Sequence, residues 1–544
     1  MMKNDEIIAR SPANETDRSR QKREWLPAIV LIVCLVAFVI KAVTSLMQES
    51  ATWDETAYFG LGKYLMQYHR WDAPGAVIHP PLSYYIHDLP LLFYQTDQSV
   101  VTNFPSVTNA EAFALGSNLR GQALLASPAN QGDHLLILSR LMMVLTAVLL
   151  GCVVYVWSYS LYGKWSAMLA IILFSFSPTI LADARLITPD ITLATFSFIT
   201  VFFFWRLLNR NRMGDVILGG ICLGLALLSK HTSVLLLPIC FLLAVIWWIK
   251  QKTLKWSYCL MFIAIGVEVL FLGYGMHPGP YFAGISIQRA SEKLHEEFLV
   301  GQYSNHGWWY YYIVVFLIKT PLATMFFLAL AFFPFLRRAR TGTWMNEMFL
   351  LVPAAVIFCF FSLSHASIGM RYIMPIYPFL FVFASGCVPT FLTNKWLAGL
   401  SVVMAGWYIG ASCYIHPHYL AYFNELIGGP DNGYKYLVDC NLDWGQDLKG
   451  LKSYMQEHDI NRINLSYFGT DSPARYGISY NWLPSCILAN PEPGQEPPTN
   501  GWFAISATDL QGLFFADKNL FAQFKDAQPV AKIGYSIFVY KVGD

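Results

Sequence analysis

The chain has 544 residues, of which 55% are hydrophobic and only 13% are charged. Charged residues make up about 25% of an ordinary soluble domain, so this composition excludes a disordered chain and disfavours a soluble enzyme. It is typical of a polytopic membrane protein. The formal net charge of +2, without a basic tract, gives no reason to expect a nucleic-acid partner.

Long apolar runs recur along the chain and predict about eleven transmembrane helices. A polar head over residues 1–25 precedes the first run, which indicates an uncleaved signal anchor. A transmembrane module is therefore predicted over residues 26–413. The runs lie at 26–46, 135–160, 166–182, 191–208, 215–229, 232–249, 257–275, 320–336, 347–363, 373–391 and 396–413.

The distribution of lysine and arginine predicts the orientation of these helices. With the N-terminus in the cytoplasm, the short cytoplasmic connections carry most of the basic residues. An odd number of helices then places the C-terminus outside the cytoplasm. Large outer segments are predicted over 47–134, 277–319 and 414–544.

The tail over residues 414–544 predicts a small extracytoplasmic α/β domain. One amphipathic segment, 445–458, favours a helix. Cys440 and Cys486 fall in this polar region and could pair outside the cytoplasm, and the sequence leaves that question open. Strands are predicted over 436–441, 462–468, 502–507 and 536–542.

Ionisable side chains are concentrated where the predicted helices reach the outer surface, and few lie in the middle of a helix. Charges at the edge of the hydrocarbon are costly unless they are paired or used. A ring of them at one face predicts a site that acts on a lipid headgroup. A transport pathway would need polar residues at the membrane midplane instead.

Two acidic residues, Asp54 and Glu55, follow the first predicted helix. An ionised carboxylate can take a proton from an attacking hydroxyl, so both are candidate catalytic residues. The alternative is that they are solvated acids at the start of a helix over 56–68. In the same loop, two prolines after His79 could hold it and Tyr84 against the site, or simply stiffen the loop.

Four cations on the outer side are candidates for binding a phosphate: Arg371, Lys319, Arg140 and Arg185. Arginine forks and lysine point charges are the usual partners of phosphate groups. For each residue alone, an interfacial side chain that snorkels towards lipid headgroups is the competing interpretation. The presence of all four on one side of the membrane favours a common role.

A polar, glycine-rich stretch opens the tail and contains Asp443, Trp444 and Gln446. Aromatic rings pack on sugar faces and amides bond to hydroxyls, so these residues are candidates for positioning a sugar substrate. The competing interpretation makes Asp443 the N-cap of the following helix.

Taken together, these motifs resemble glycosyltransferase family 39, which contains the protein O-mannosyltransferases and the aminoarabinose transferase of lipid A. The resemblance covers most of residues 26–440 and implies the integral-membrane glycosyltransferase fold, GT-C. The motifs that carry it are Trp53-Asp54-Glu55, His79-Pro80-Pro81, Arg140, Arg185 to Asp190, Lys319-Thr320-Pro321, Arg371 to Pro375, Asn424 to Pro430 and Asn441 to Gln446.

The resemblance implies a hexosyl- or pentosyltransferase that uses a polyprenyl-phosphate sugar at the outer face of the plasma membrane. Asp54 matches the catalytic acidic residue and would act as base on the acceptor hydroxyl, with inversion at the anomeric carbon. Arg371, Lys319 and Arg140, in that order, would stabilise the leaving phosphate, and Glu55 and His79 would orient the reactants. Asp190 would help to position substrate. A carboxylate beside a phosphate can bind a divalent cation, but no ligand cluster demands one.

The chain also departs from the family pattern. The loop over 277–319 is too short for the added sugar-binding domains of the mannosyltransferases, and eleven helices differ from the thirteen expected of the aminoarabinose transferase. The acceptor therefore stays open between a protein, a lipid and a glycan, and the tail is a candidate for selecting it. The alternative functions are a transporter or flippase of polyprenyl-linked sugars and a catalytically silent glycolipid-binding protein.

Overall fold

The computed structural model describes residues 13–68, 71, 76–94, 96, 110–292, 295–364, 366–486 and 496–543. Residues 1–12 of the predicted cytoplasmic head lie outside this described part. The first helix, Ala13–Gln48, contains the rest of that head and the first apolar run.

Nine helical segments of the described chain are long and apolar enough to cross a membrane. A multi-pass helical membrane protein is therefore confirmed. The nine are Trp25–Gln48, Gly132–Tyr162, Pro189–Arg210, His231–Gln251, Trp256–Gly273, Leu322–Thr341, Met345–Leu363, Met374–Phe391 and Lys395–Tyr414.

The two remaining predicted runs are also helical, but they differ from simple spans. Lys164–Ser175 and Pro178–Ala184 form a pair bent by 58°, with the proline where the second helix begins, since proline cannot continue the first. Met213–Leu227 has only 15 residues. At Gly219, Gly220 and Gly224, an added Cβ would collide with side chains or backbone of the helix Trp256–Gly273, so the two helices pack closely there.

Short elements connect the spans on the side of the molecule that carries the tail. A two-stranded antiparallel hairpin joins β1 (Glu297–Leu299) to β2 (Gln302–Ser304). The main helices of these connections are Trp53–Tyr68, Leu82–Asp88, Ala110–Ala126, Gly279–Glu292 and Tyr311–Lys319.

The tail contains a five-stranded mixed sheet. Its strands are β3 (Ile463–Ser466), β4 (Tyr480–Trp482), β5 (Gly501–Ser506), β6 (Ala531–Ile533) and β7 (Ile537–Val542). Their order in the sheet is β4-β3-β5-β7-β6. Strand β3 pairs in parallel with β4 and β5, and β7 pairs in antiparallel fashion with β5 and β6.

The helix Leu448–Glu457 buries Leu448, Leu451 and Met455 against this sheet. The predicted small α/β tail is therefore present, but the strand predicted over 436–441 is wrong. That segment ends in a 3-10 turn, Asp439–Asn441, because Asp439 has a φ of +55°, which is incompatible with an extended strand.

The tail is joined to the membrane module through the backbone just before Asp54. Ser50 N donates to Gln446 O at 2.8 Å and Trp53 N donates to Trp444 O at 2.9 Å. Thr470 Oγ1 donates to Trp53 O at 2.8 Å. These bonds fix where the next helix begins.

Candidate active site

Asp54 lies in the first turn of the helix Trp53–Tyr68, directly after the segment that the tail holds. This helix packs against Ala110–Ala126. At the contact, a Cβ added to Gly121 would collide with the backbone carbonyl of Thr56. The two backbones therefore approach more closely than a residue other than glycine at this position would allow. The tail and the helix Ala110–Ala126 thus both help to position the Asp54 carboxylate.

Asp54 forms an ion pair with Arg371, with 2.6 Å between Oδ2 and Nη1. The Tyr58 hydroxyl donates a longer bond to the same carboxylate oxygen, at 3.3 Å. The guanidinium of Arg371 also lies 4.4 Å from the ring centroid of Trp444. Its Nε has no hydrogen-bond partner among the described residues. The carboxylate of Asp54 is therefore adjacent to a guanidinium that still has one hydrogen-bond donor without a partner among the described residues.

This pair faces a cavity of about 330 Å³, a volume within the range of small-molecule sites. The membrane module and the tail both contribute to its wall. The lining residues are Trp53, Asp54, Ala57, Tyr58, Leu61, Ile78, His79, Tyr84, Asn118, Gln288, His295, Ile368, Arg371, Tyr372, Asp439, Trp444, Phe468, Cys486 and Phe514.

His79 and Tyr84 both line this cavity, as a substrate-positioning role requires. Neither the Nδ1 of His79 nor the hydroxyl of Tyr84, a side chain only 1% exposed, has a hydrogen-bond partner among the described residues. Buried polar atoms are normally paired, so these two are available to a ligand. Burial and the nearby charge of Lys230 hold the pKa of His79 well below its usual value, so the imidazole is neutral at pH 7.

Glu55 points away from the cavity, although it is the neighbour of Asp54. It is fully buried and receives bonds from Arg140 Nε at 2.8 Å and from the backbone nitrogens of Thr52 and Ile187. Arg140 in turn donates to carbonyls of the segment before Asp54, Ser50 among them. The structure therefore brings Glu55 and Arg140 together, but neither side chain lines the cavity.

Two further predicted residues are buried in separate ion pairs. Arg185 is paired with Glu49. Asp190 Oδ1 lies 2.7 Å from Lys230 Nζ. Neither Arg185 nor Asp190 lines the cavity that contains Asp54.

Lys319 lies behind Arg371 and not in the main cavity. Its ammonium donates to the backbone carbonyls of Leu420 and Asn441 and lies 4.4 Å from the ring centroid of Phe423. Lys319 and Arg371 together line a second, much smaller cavity of about 20 Å³. The positive charge of Lys319 is thus near Arg371 without facing the larger space.

The three predicted residues of the tail occupy different environments. Trp444 lines the cavity and stacks on Arg371. Gln446 is buried, and its amide bonds to the backbone of Trp444 and Leu442. Asp443 accepts a bond from Thr508 N at 2.9 Å, and the N-cap of the following helix is Asp447 instead.

Sequence reasoning did not select several other residues that line the cavity, among them His295, Asp439, Phe468 and Phe514. His295 and Asp439 are 3.5 Å apart, measured from Nε2 to Oδ2. No recognisable spacing connects them in the sequence, and only the fold brings them together. Within the described ranges, no three His, Cys, Asp or Glu side chains are grouped as metal ligands would be, and Cys440 and Cys486 are both free thiols.

Residues 129–271 match the family described as dolichyl-phosphate-mannose-protein mannosyltransferase. This match covers the second to the seventh predicted apolar runs and confirms the predicted resemblance there. No curated protein matches the sequence.

Solved structures of membrane proteins are similar to the chain over most of its length. ArnT from Cupriavidus metallidurans bound to undecaprenyl phosphate has a TM-score of 0.50 at 13% identity, over 94% of this chain and 97% of that one. This likeness confirms the GT-C fold. The same protein in the apo state has a TM-score of 0.49 at 15% identity, over 95% and 98%.

The archaeal oligosaccharyltransferase AglB from Archaeoglobus fulgidus, in complex with an inhibitory peptide and a dolichol-phosphate, is also similar. Its TM-score is 0.48 at 13% identity, over 88% of this chain and 62% of that one.

Proposed function

We propose that the protein is a membrane glycosyltransferase that transfers a sugar from a polyprenyl-phosphate donor to a hydroxyl acceptor. The observation that carries the proposal is the Asp54–Arg371 pair at the wall of a sugar-sized cavity. It places a candidate base beside a candidate phosphate ligand. The similar structure that holds undecaprenyl phosphate supports the choice of donor.

In the proposed reaction, an acceptor hydroxyl attacks the anomeric carbon of the donor and its proton passes to the carboxylate of Asp54. The bond between that carbon and the phosphate oxygen breaks, and the oxygen keeps the electron pair. Polyprenyl phosphate leaves, and the configuration at the anomeric carbon is inverted. Negative charge grows on the leaving phosphate, so a cation there stabilises the transition state more than an acid would.

Arg371 is the residue that we assign to the phosphate, because its Nε is unpartnered among the described residues and its guanidinium faces the cavity. Lys319 adds positive charge from behind it. Tyr84 and the neutral His79 would bond to the substrates through their unpartnered atoms. These assignments are open to the tests below.

The remaining predicted residues are assigned to holding the site together. Glu55 and Arg140 tie the segment before Asp54 to neighbouring helices, and Arg185 and Asp190 are neutralised by their own partners. Asp443 and Gln446 shape the turn that presents Trp444. We therefore assign the proton transfer to Asp54 rather than to Glu55.

We further propose that the protein resides in the plasma membrane with its N-terminus in the cytoplasm and its tail outside. The cavity then opens on the outer side, where the donor headgroup is presented. The acceptor is a hydroxyl of a protein, a lipid or a glycan.

The proposal is tested by measuring release of polyprenyl phosphate from polyprenyl-phosphate sugars, with purified protein in lipid and an acceptor extract. Replacing Asp54→Asn should reduce release by at least about 10²-fold, since a positioned base contributes that much or more. The matched control is Asp133→Asn. Asp133 is half-exposed and bonds to Arg475 outside the cavity.

Undiminished release by Asp54→Asn would contradict the assignment of the base. Binding of the donor without release, in the presence of a competent acceptor extract, would favour a carrier of polyprenyl-linked sugars. Loss of release in the Asp133→Asn control would indicate a general effect on folding.

A further inference from the structure

One part of the cavity wall contains a continuous series of aromatic contacts. Trp53 stacks on Phe468 with ring centroids 4.5 Å apart, and Phe468 stacks on Phe514 at 5.9 Å. Phe514 meets the edge of His295 at 5.2 Å. The series therefore begins one residue before Asp54 and continues through rings from two parts of the tail.

The series ends at a carboxylate. His295 Nε2 lies 3.5 Å from Asp439 Oδ2, and both residues line the same cavity as Asp54. The other carboxylate oxygen of Asp439 accepts a bond from Cys440 N at 2.6 Å. Asp439 has a φ of +55°, and its Oδ2 is the oxygen that faces His295 in the cavity wall.

Trp444, which stacks on Arg371, lies in the connection between the 3-10 turn Asp439–Asn441 and the helix Leu448–Glu457. In the proposed donor, the sugar is bonded directly to the phosphate that Arg371 would bind. Asp439 lies shortly before Trp444 in the chain and in the wall of the same cavity, so its carboxylate is placed near the region that the sugar ring would occupy. A cavity of about 330 Å³ has room for a monosaccharide but not for the body of a large acceptor.

We propose that Asp439 and His295 form a subsite that binds ring hydroxyls of the donor sugar, with the ring packed on the wall of Trp53, Phe468 and Phe514. An ionised carboxylate only accepts hydrogen bonds, and sugar hydroxyls are donors that match it. This inference rests on the proposed function and adds to it the residues that select the sugar. The tail would then contribute to recognition of the donor sugar, whichever acceptor is used.

The test compares two probes in lipid nanodiscs: polyprenyl phosphate alone, and polyprenyl-phosphate mannose or glucose with their monodeoxy analogues. Binding is measured in the Asp54→Asn background, so that turnover is not required. Asp439→Asn keeps the oxygen that bonds to Cys440 N, and asparagine tolerates the same backbone conformation. We expect it to weaken binding of the sugar donor by about 10- to 100-fold and to leave polyprenyl phosphate unaffected.

One deoxy analogue should bind the protein that retains Asp439 more weakly than the complete sugar donor does, by the same factor. In Asp439→Asn, removing that hydroxyl should cause no further loss of affinity, because the two changes remove the same hydrogen bond. His295→Gln should weaken binding of the sugar donor less than Asp439→Asn does, and removal of the same hydroxyl should cost this variant less affinity than it costs the protein with His295. The matched control is Asp526→Asn, since Asp526 is exposed on the tail and does not line the cavity.

Equal weakening of both probes, additive losses for every analogue, or no preference of the unmodified protein for the sugar donor over polyprenyl phosphate would each overturn the subsite. Failure of the proposed function has a different signature. Either polyprenyl phosphate itself would not bind, or the protein with Asp54 intact would bind the sugar donor and release no polyprenyl phosphate in the presence of a competent acceptor extract.

Discussion

At the scale of single residues, two adjacent acids have opposite surroundings. Asp54 is paired with Arg371 at a cavity wall, with 22% and 14% of the two side chains exposed. Glu55 is fully buried and surrounded by donors. One position along a helix turns the side chain by about 100°, and this rotation separates a group that lines the cavity from one that does not.

Replacing Glu55→Gln should therefore affect stability before it affects chemistry. Removing one partner of a buried ion pair leaves the Arg140 charge uncompensated, which costs about 3–5 kcal/mol. Thermal unfolding in lipid should show a lower Tm for this variant, whereas Asp54→Asn, whose pair is partly solvated, should change the Tm less. An unchanged Tm together with lost release in Glu55→Gln would instead place Glu55 in the chemistry.

The candidate residues were predictable from the sequence as types, but not as pairs. Asp54 and Arg371 are 317 positions apart. Four outer cations could each bind a phosphate, and the sequence ranks Arg371, Lys319 and Arg140 in that order without knowledge of their partners. What distinguishes them is their position: Arg371 lines the cavity together with Asp54, whereas Arg140 and Arg185 are paired with Glu55 and Glu49 and do not line it. Such assignments depend on tertiary contacts that no local pattern encodes.

At the scale of elements, the position of Asp54 depends on how closely its helix approaches Ala110–Ala126. Gly121→Ala should push the two helices apart, since the added Cβ would meet the backbone of Thr56 and not a flexible side chain. A displacement near 1 Å can cost about 10²-fold in rate. Release of polyprenyl phosphate measures this loss.

Gly214→Ala is the matched control, because a Cβ at Gly214, near the start of another helix, has nothing within 4 Å. It should leave the rate unchanged and stabilise that helix slightly. Equal rates for the two variants would show that the contact at Gly121 does not position Asp54.

The tail sheet has its own dependence on pH. Asp509 is fully buried in the short helix Ala507–Gln511, which follows β5, and it accepts a bond from Ser466 Oγ at 2.9 Å. Burial raises the pKa of Asp509 to about 7, against about 3.9 in an unfolded chain. Between these two values the folded form holds a proton that the unfolded form has lost, so the contribution of this group to the free energy of unfolding falls as pH rises from about 4 to about 7.

Asp509→Asn removes that dependence, so the Tm of the variant relative to the unmodified protein should be higher at pH 8 than at pH 5. The exposed Asp526→Asn should show a difference that does not change with pH. A difference for Asp509→Asn that stayed constant between pH 5 and pH 8 would contradict the raised pKa.

Elements were predicted with varying success, for physical reasons. The apolar runs and three strands of the tail have clear periodicity, and each is found where expected or within a few residues. Strands β4 and β6 have three residues each, too few for a pattern. The strand predicted over 436–441 was wrong because the left-handed conformation of Asp439 depends on its turn and not on β-propensity.

At the scale of the whole molecule, the predicted orientation has a direct test. Reporter fusions should show the N-terminus in the cytoplasm and residue 543 outside, since the basic residues of the short connections favour that arrangement. A phosphatase that is active only outside the cytoplasm should be active at the tail and inactive at the N-terminus. The reverse pattern would contradict the topology and the placement of the cavity on the outer face.

The bonds between the tail and the segment before Asp54 also impose an order of assembly. Ser50 Oγ donates to Gly445 O, which lies 395 positions later in the chain, and Trp53 is held by Trp444 and Thr470. A nascent chain therefore has its membrane helices synthesised before the tail that completes its cavity. Donor lipids already present in the membrane would meet a finished site only after translation has ended.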